Sequence, residues 1–364
     1  MTVEYRQFGA PRQYIQGPGV IRRLAELTDI HGQRPLLVVD DYVLDKLGTT
    51  LTDSFDAAGV DVGILPCTGD VTRKNIADHV GRLADRHRDV VVGIGGGKAL
   101  DLAKGVAIDL GAAMITCPTI ASNDGPTARV LAIYNDDHVL CELGSLDFNP
   151  SCVVVDTELI SRAPVQFLIS GIGDAIAKKY EAQGCLAGTG NTMQGTRPLG
   201  IGSIVASGCY EVLARHAVEA VKSVAHAELT PAVESVIEAV VLMSGIGYEN
   251  GGLSIAHCMT RGLMAGRGTR SMLHGYHVAY GLLVQLALEQ HRAEVVEEVT
   301  DLLRAVGLPT SLAEMGMRDA TAEEIRELAV AALAAPHVLN TEALVTETTL
   351  VDAIERVESR TLAR

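Results

Sequence analysis

Through the first part of the chain, short runs of apolar, β-branched residues alternate with stretches in which apolar positions recur at helical spacing. After the Pro18-Gly19 turn and a helical stretch over Val20–Leu27, LLVVD (Leu36–Asp40) reads as a strand, Leu44–Ala58 as a helix and Val60–Leu65 as a second strand. Ile76, Val80 and Leu83 lead into a strand that opens at Val90, and Ala113–Cys117 and Cys152–Asp156 are two more. Runs this short, rich in Val and Ile and bounded by turn residues, are strands. Their alternation with helices predicts a parallel sheet with helices on both faces. From about Ala163 the alternation stops. Phe167–Cys185, Ile201–Ala214, Pro231–Met243, Met272–Glu289, Ala293–Val306, Thr321–Ala334 and Glu342–Glu358 all carry helical spacing, with the glycine-rich Gly188–Gly200 as the least ordered connection. The pattern predicts an α/β domain over residues 1–160 and an all-α domain over residues 161–364.

One stretch interrupts the apolar rhythm with chemistry. In VVVGIGGGKALDLAK (Val90–Lys104) a buried strand meets Gly93, Gly95, Gly96 and Gly97 and then a helical pattern. Glycines let a ligand approach main-chain N–H groups, and those at a helix N-terminus carry partial positive charge, which suits a phosphate. The spacing matches neither common template: a dinucleotide G-x-G-x-x-G needs glycine at position 98, and a P-loop needs Ser or Thr where Ala99 stands. Asp40, at the end of its strand, is placed to accept hydrogen bonds from a ribose, with neighbouring Asp41 as the alternative. The strand Ala113–Cys117 runs into Pro118–Tyr134, and between Thr116 and Thr127 the chain is rich in Ser, Thr, Asn and Asp with two prolines, a polar loop at the same strand ends suited to a carboxamide or a polyol.

Composition narrows the partners. Of 364 residues 48% are apolar but only 4% aromatic, so the core is aliphatic, and a formal charge of -15 argues against nucleic acid and anionic membranes. Seven cysteines without C-x-x-C spacing fit buried thiols in a reducing compartment, and no run reaches about 18 uninterrupted apolar residues. The expectation is a cytoplasmic location with no membrane segment.

In the helical half, GIGDAIAKKYEA carries Asp174, GGLSIAHCM carries His257, and MLHGYHVAYG carries His274 and His277. Each sits among apolar and glycine residues, where an unpaired carboxylate or imidazole is costly. One carboxylate and two imidazoles suit Zn²⁺ and leave a coordination position open. His274 and His277, at i and i+3 on one helix face, can also bind a metal together, which makes His277 the rival ligand.

Five blocks, GGGKALDLAK (Gly95–Lys104), PTIASNDGPT (Pro118–Thr127), GIGDAIA (Gly171–Ala177), YENGGLSIAH (Tyr248–His257) and HGYHVAYG (His274–Gly281), stand in the order and at the distances of a known family. Nearly end to end, the chain resembles the glycerol dehydrogenases of the iron-containing alcohol dehydrogenase superfamily, whose relatives include dehydroquinate synthase. The resemblance implies a Rossmann-like NAD domain, a dehydroquinate synthase-like helical domain, and an active site between them that oxidises glycerol or a similar small polyol. Asp174, His257 and His274 match its zinc ligands. Asp40, Gly95, Gly96, Gly97, Lys98, Asp101, Thr119, Ser122, Val130 and Tyr134 match cofactor contacts, and Asp124 a substrate contact. Iron-binding relatives have a further His four residues after the Asp ligand; Lys178 stands there, which favours zinc. The resemblance also implies a homo-oligomer, with an octamer among the family's assemblies.

Departures leave the substrate open. Ala128, Arg129 and Val130 replace the family's Ser-Ala-Leu, and Tyr276 and His277 replace Glu-Lys. Arg129 is expected in a solvated ion pair. Rival readings are a dehydrogenase of glycerol 1-phosphate, a cyclic polyol or an amino alcohol, and a dehydroquinate synthase-like cyclase, which would need more cations than Arg129, Lys178 and Lys179.

Overall fold

The computed structural model describes residues 5–83, 87–135 and 139–362. Six parallel strands form one sheet: β1 (Tyr14–Gly17), β2 (Pro35–Asp40), β3 (Gly63–Cys67), β4 (Val90–Gly95), β5 (Ala113–Pro118) and, after a hairpin, β8 (Cys152–Asp156). Their order is β1-β8-β5-β4-β2-β3. The apolar runs are continuous because both sheet faces are covered. Val90, Val92 and Ile94 of β4 pack with Leu24, Leu51 and Phe55 on one face, while Val91 packs with Val106 and Ile76 on the other. Register sets the functional edge: Val39 pairs with Ile94 and Gly95 with Pro118, so Asp40, the glycine turn and the polar loop share one end of the sheet.

Three elements differ from the sequence-based expectation. β1 adds to the edge beside β8, Tyr14 opposite Val153, and its four residues YIQG carry no apolar run that would announce it. β3 begins at Gly63 rather than Val60, because the preceding helix ends on Gly59 at φ 66 and the chain needs three residues to regain the sheet. Past the expected polar loop, which ends at Thr127, lies a strand not expected from the sequence: β6 (Val130–Tyr134) pairs antiparallel with β7 (Leu140–Ser145). Leu131 and Ile133 turn inward from β6, an alternation too short to stand out against the polar residues before it.

Beyond Asp156 every regular element among the described residues is helical. A helix at Ile255–Ala265 joins those expected, and the one starting at Gly200 runs on to Ala225. Pro231–Gly251 is continuous, with a π-helical turn at Ala239–Met243. This helix is long and apolar enough to cross a membrane by length and composition. Its Val233, Val236, Ile237, Val240 and Val241 are fully buried in the core of the helical half, so the apolar face they form is covered by protein. The Gly188–Gly200 connection is tied by hydrogen bonds, Thr192 N–H to the Thr196 carbonyl at 2.9 Å and the Arg197 guanidinium to the Leu186 carbonyl at 2.9 Å. Val153 and Val155 of β8 belong to the same core as Ile172 and Ile176 of the Val165–Ala187 helix, which seats the helical half on the sheet.

Candidate active site

β4 ends at Gly95, Gly96 precedes the Gly97–Leu110 helix, and no side chain caps that helix. Its first-turn N–H groups therefore lack a side-chain acceptor. Gly95 is obligatory here: φ is +147°, and an added Cβ would lie 2.8 Å from the Cβ atoms of both Ala99 and Asp40. Asp40 accepts from Tyr42 N–H at 3.0 Å through Oδ1, capping the Asp41–Ala58 helix beside the glycine turn. Lys98 forms an ion pair with Asp70 at 3.0 Å. Asp101 lies lower: its Oδ2 accepts from Ala132 N–H at 3.1 Å, and Lys104 donates to the Gly125 and Val130 carbonyls at 2.9 and 2.7 Å. Asp101 and Lys104 thus fix the base of the polar loop, and burial raises the Asp101 pKa.

Above that base, Thr119 N–H donates to the Gly95 carbonyl at 3.1 Å, holding the loop against the glycine turn. Tyr134 N–H donates to the Val71 carbonyl at 2.8 Å, and its phenol pKa is raised by burial. The loop then reaches the helical half. Thr127 Oγ1 donates to the Val241 carbonyl at 2.5 Å, inside the π-helical turn, where the carbonyl pattern of an α-helix is broken. Ser244 donates to Asp124 Oδ2 at 3.1 Å, and Ser170 donates to the Ser122 carbonyl at 3.2 Å.

Opposite the loop, Asp174, His257 and His274 each offer a donor atom, all within 4.8 Å of one another. Close helix packing makes this possible: a Cβ on Gly275 would overlap the Ser170 carbonyl, and one on Gly173 the Gly275 carbonyl. Asp174 and His257 are 3.4 Å apart, Oδ1 to Nε2. His257 is oriented from behind by Glu181, which is fully buried and accepts from His257 Nδ1 at 2.8 Å, His257 N–H at 3.0 Å and Ser254 N–H at 2.8 Å. A histidine held this way presents Nε2 in a fixed direction, as a metal ligand does.

Lys178, one turn after Asp174, is 1% exposed and donates to Asp174 Oδ1, with Asp124 Oδ2 at 3.2 Å and His257 Nε2 at 3.5 Å. The charges are mutually adjusted. Burial opposes ionisation of Asp174, but Lys178 and the two histidines outweigh it and hold the carboxyl well below its usual range. Burial likewise opposes charge on Lys178, and Asp124, Asp174 and Glu181 overcome it and raise its pKa. Burial and the Asp174 charge raise Asp124. Burial would lower His257, but Glu181 pushes it up to about 9, and His257 in turn draws Glu181 down to about 2. His274, opening to the cleft, is lowered by the protein packed around it despite the pull of Asp174. One carboxylate and two imidazoles around a point already favourable to a cation fit a divalent metal.

Residues 15–164 match the family described as iron-containing alcohol dehydrogenase. Over 321 residues, 88% of this chain and 87% of the other protein, the sequence is 39% identical to a glycerol dehydrogenase of Thermotoga maritima. The chain belongs to the iron-containing alcohol dehydrogenase family. As a member of it, the protein is an enzyme of the alcohol dehydrogenase type. A crystal structure of a probable glycerol dehydrogenase from Sinorhizobium meliloti 1021 superposes with TM-score 0.90 at 36% identity, covering 99% of each chain. A glycolaldehyde reductase of Halobacterium salinarum is 35% identical over 89% of each.

Two expectations fail within this family member. His277 is no rival ligand: it is buried, its Nε2 lies 2.8 Å from the Thr269 carbonyl, and it stands outside the Asp174, His257 and His274 cluster. The helix that begins at His274 turns its second histidine away into the core. Arg129 makes no solvated ion pair. Its guanidinium donates to the Met193 carbonyl at 3.1 Å and its Nε is buried without a partner, while its N–H donates to buried Glu249 at 2.6 Å. Glu249 also accepts from Asn149 at 2.7 Å and Gln194 at 3.0 Å, so this cluster braces the polar loop against the helical half. Sequence reading passes over Glu181, although Asp174, Lys178 and Glu181 at i, i+4 and i+7 share one buried face of the Val165–Ala187 helix.

Proposed function

We propose that this chain oxidises glycerol or a similar small polyol to the ketone, with NAD as hydride acceptor and Zn²⁺ held by Asp174, His257 and His274. The observation that carries the reading is the Asp-His-His cluster facing Asp124 across the end of the sheet that bears the glycine turn. When bound, zinc supplies Lewis acidity that makes a polyol hydroxyl easier to deprotonate, and NAD accepts the hydride from the carbinol carbon. The protein's part is to bind and orient. The N–H groups after Gly95, Gly96 and Gly97, with Lys98 nearby, suit the pyrophosphate, and Asp40 keeps Oδ2 for a ribose hydroxyl. Thr119, Ser122, Val130 and Tyr134 line the nicotinamide side, with Asp101 shaping the loop from beneath. Asp124 accepts a second polyol hydroxyl. Residues 1–160 thus form the cofactor half and residues 161–364 the metal half.

Zinc rather than iron is supported by Lys178 at the position where iron-binding relatives carry a fourth donor. A neutral polyol, rather than glycerol 1-phosphate or a cyclase substrate, is supported by the engagement of Arg129 with Met193 and of Lys178 with two carboxylates. All seven cysteines are free, in keeping with a cytoplasmic enzyme. We propose a homo-oligomer, with an octamer expected from the family, to be measured by sedimentation. The functional test is dialysis against a chelator, readdition of Zn²⁺, and NADH formation over a panel of glycerol, cyclic polyols, amino alcohols and glycerol 1-phosphate. Activity indifferent to chelation in a metal-free protein, or a preference for the phosphorylated alcohol, would overturn the reading.

A further inference from the structure

Building on the metal assignment above, we infer that Lys178 is a tethered competitor for the metal, an ammonium that occupies the donor cluster when no divalent ion is there and must leave when one arrives. The geometry is specific. Lys178 is on the same helix as Asp174, one turn on, so its reach to the cluster is fixed by the helix itself. Its Nζ engages Asp174 Oδ1 and lies 3.5 Å from His257 Nε2. Those atoms, 3.4 Å apart, are the ones a divalent ion has to bond, at about 2.0 to 2.2 Å. An ammonium and a dication cannot share the space between them. Asp124 Oδ2, 3.2 Å from Nζ, and the Tyr248 ring, with its centroid 5.9 Å away, already engage the ammonium, so it keeps partners when the ion takes Asp174.

Two properties follow. The metal-free protein keeps its buried Asp174 paired, which sustains the fold without metal. Metal uptake has to displace a resident cation, so the chain binds its ion less tightly than the same donors would without the lysine.

The test compares metal-free wild type with Lys178→Met, close in shape and neutral, and Lys178→Thr, short and neutral. Zinc affinity is measured by competition with a chromophoric chelator, and thermal midpoints are measured with and without Zn²⁺. The variants are expected to bind zinc about tenfold or more tightly than wild type. Their metal-free midpoints should fall below that of wild type, and zinc should raise them further. Equal or weaker zinc binding by both variants, or unchanged metal-free midpoints, overturns the role of Lys178. A variant that folds only with zinc supports it; failure of both to fold even with zinc overturns it, because the ion should replace the missing charge. Zinc binding by wild type with no gain in the variants sinks this inference alone, whereas no zinc binding by any of the three proteins sinks the metal site as well.

Discussion

Glu181→Gln isolates the support behind His257 while leaving all three metal donors in place. Glu181 has no exposure and accepts three hydrogen bonds, two from backbone N–H groups and one from His257 Nδ1. A glutamine keeps the shape but loses the charge, and turns an NH₂ toward donors at one of its two positions. Removing one partner of a buried charged pair costs about 3 kcal/mol. For a chain of 364 residues, at roughly 2.1 cal/mol/K per residue, that lowers the thermal midpoint of the metal-free protein by about 4 °C. Zinc affinity should fall about 10- to 100-fold, because His257 no longer presents Nε2 in a fixed direction.

The pH dependence is specific as well. His257 is raised from 6.5 to about 9, so its contribution is complete below pH 6.5 and is lost as pH rises through 9. Glu181 is lowered from 4.5 to about 2, so its contribution is complete above pH 4.5 and is lost as pH falls toward 2. The gap in midpoint between wild type and variant should be widest between those values, near pH 5 to 6, and close on both sides. Calorimetry of the metal-free proteins across pH 3 to 10 measures it. A gap that is flat with pH, or a variant with undiminished zinc affinity, refutes the idea that this pair organises the donor.

Gly95→Ala should weaken NADH binding at least about tenfold in a fluorescence titration, since a Cβ 2.8 Å from both Ala99 and Asp40 has to distort the turn that the cofactor would meet. Asp124→Asn should raise KM for glycerol and leave NADH affinity unchanged; equal losses in both would place Asp124 in folding rather than in substrate binding. Thr127→Val should cost about 1 kcal/mol, seen as a fall in chemical-denaturation midpoint, because it cuts the bond to the Val241 carbonyl and strands that carbonyl inside the protein.

Legibility in the sequence followed the energetics. β2, β4, β5 and β8 were readable because burial on both faces demands unbroken apolar runs, and β8 has the expected bounds, Cys152–Asp156. β1 was invisible because an edge strand of four half-buried residues has no such demand placed on it. The donors Asp174, His257 and His274 could be nominated as costly residues in apolar surroundings, but their meeting depends on the Gly173–Gly275 approach, which spans about a hundred residues and leaves no local pattern. Arg129 misled for the same reason: its partner, the Met193 carbonyl, belongs to a loop of the other half, and a backbone acceptor has no sequence signature.

Charge balance explains why so polar a cluster persists inside an aliphatic core. Asp124, Asp174 and Glu181 bring three carboxylates together, and Lys178 and a protonated His257 bring two cations, so the metal-free cluster is one positive charge short when all three acids are ionised. Burial, and after it the Asp174 charge, raises the Asp124 pKa, while Asp174, nearer the ammonium, stays ionised. A divalent ion that displaces the His257 proton adds two charges and removes one, which brings the cluster to neutrality with Lys178 still present. A monovalent ion exchanging for the same proton leaves the deficit unchanged. The arrangement therefore favours a dication over a monovalent ion on charge, at a donor cluster whose third member, His274, is exposed.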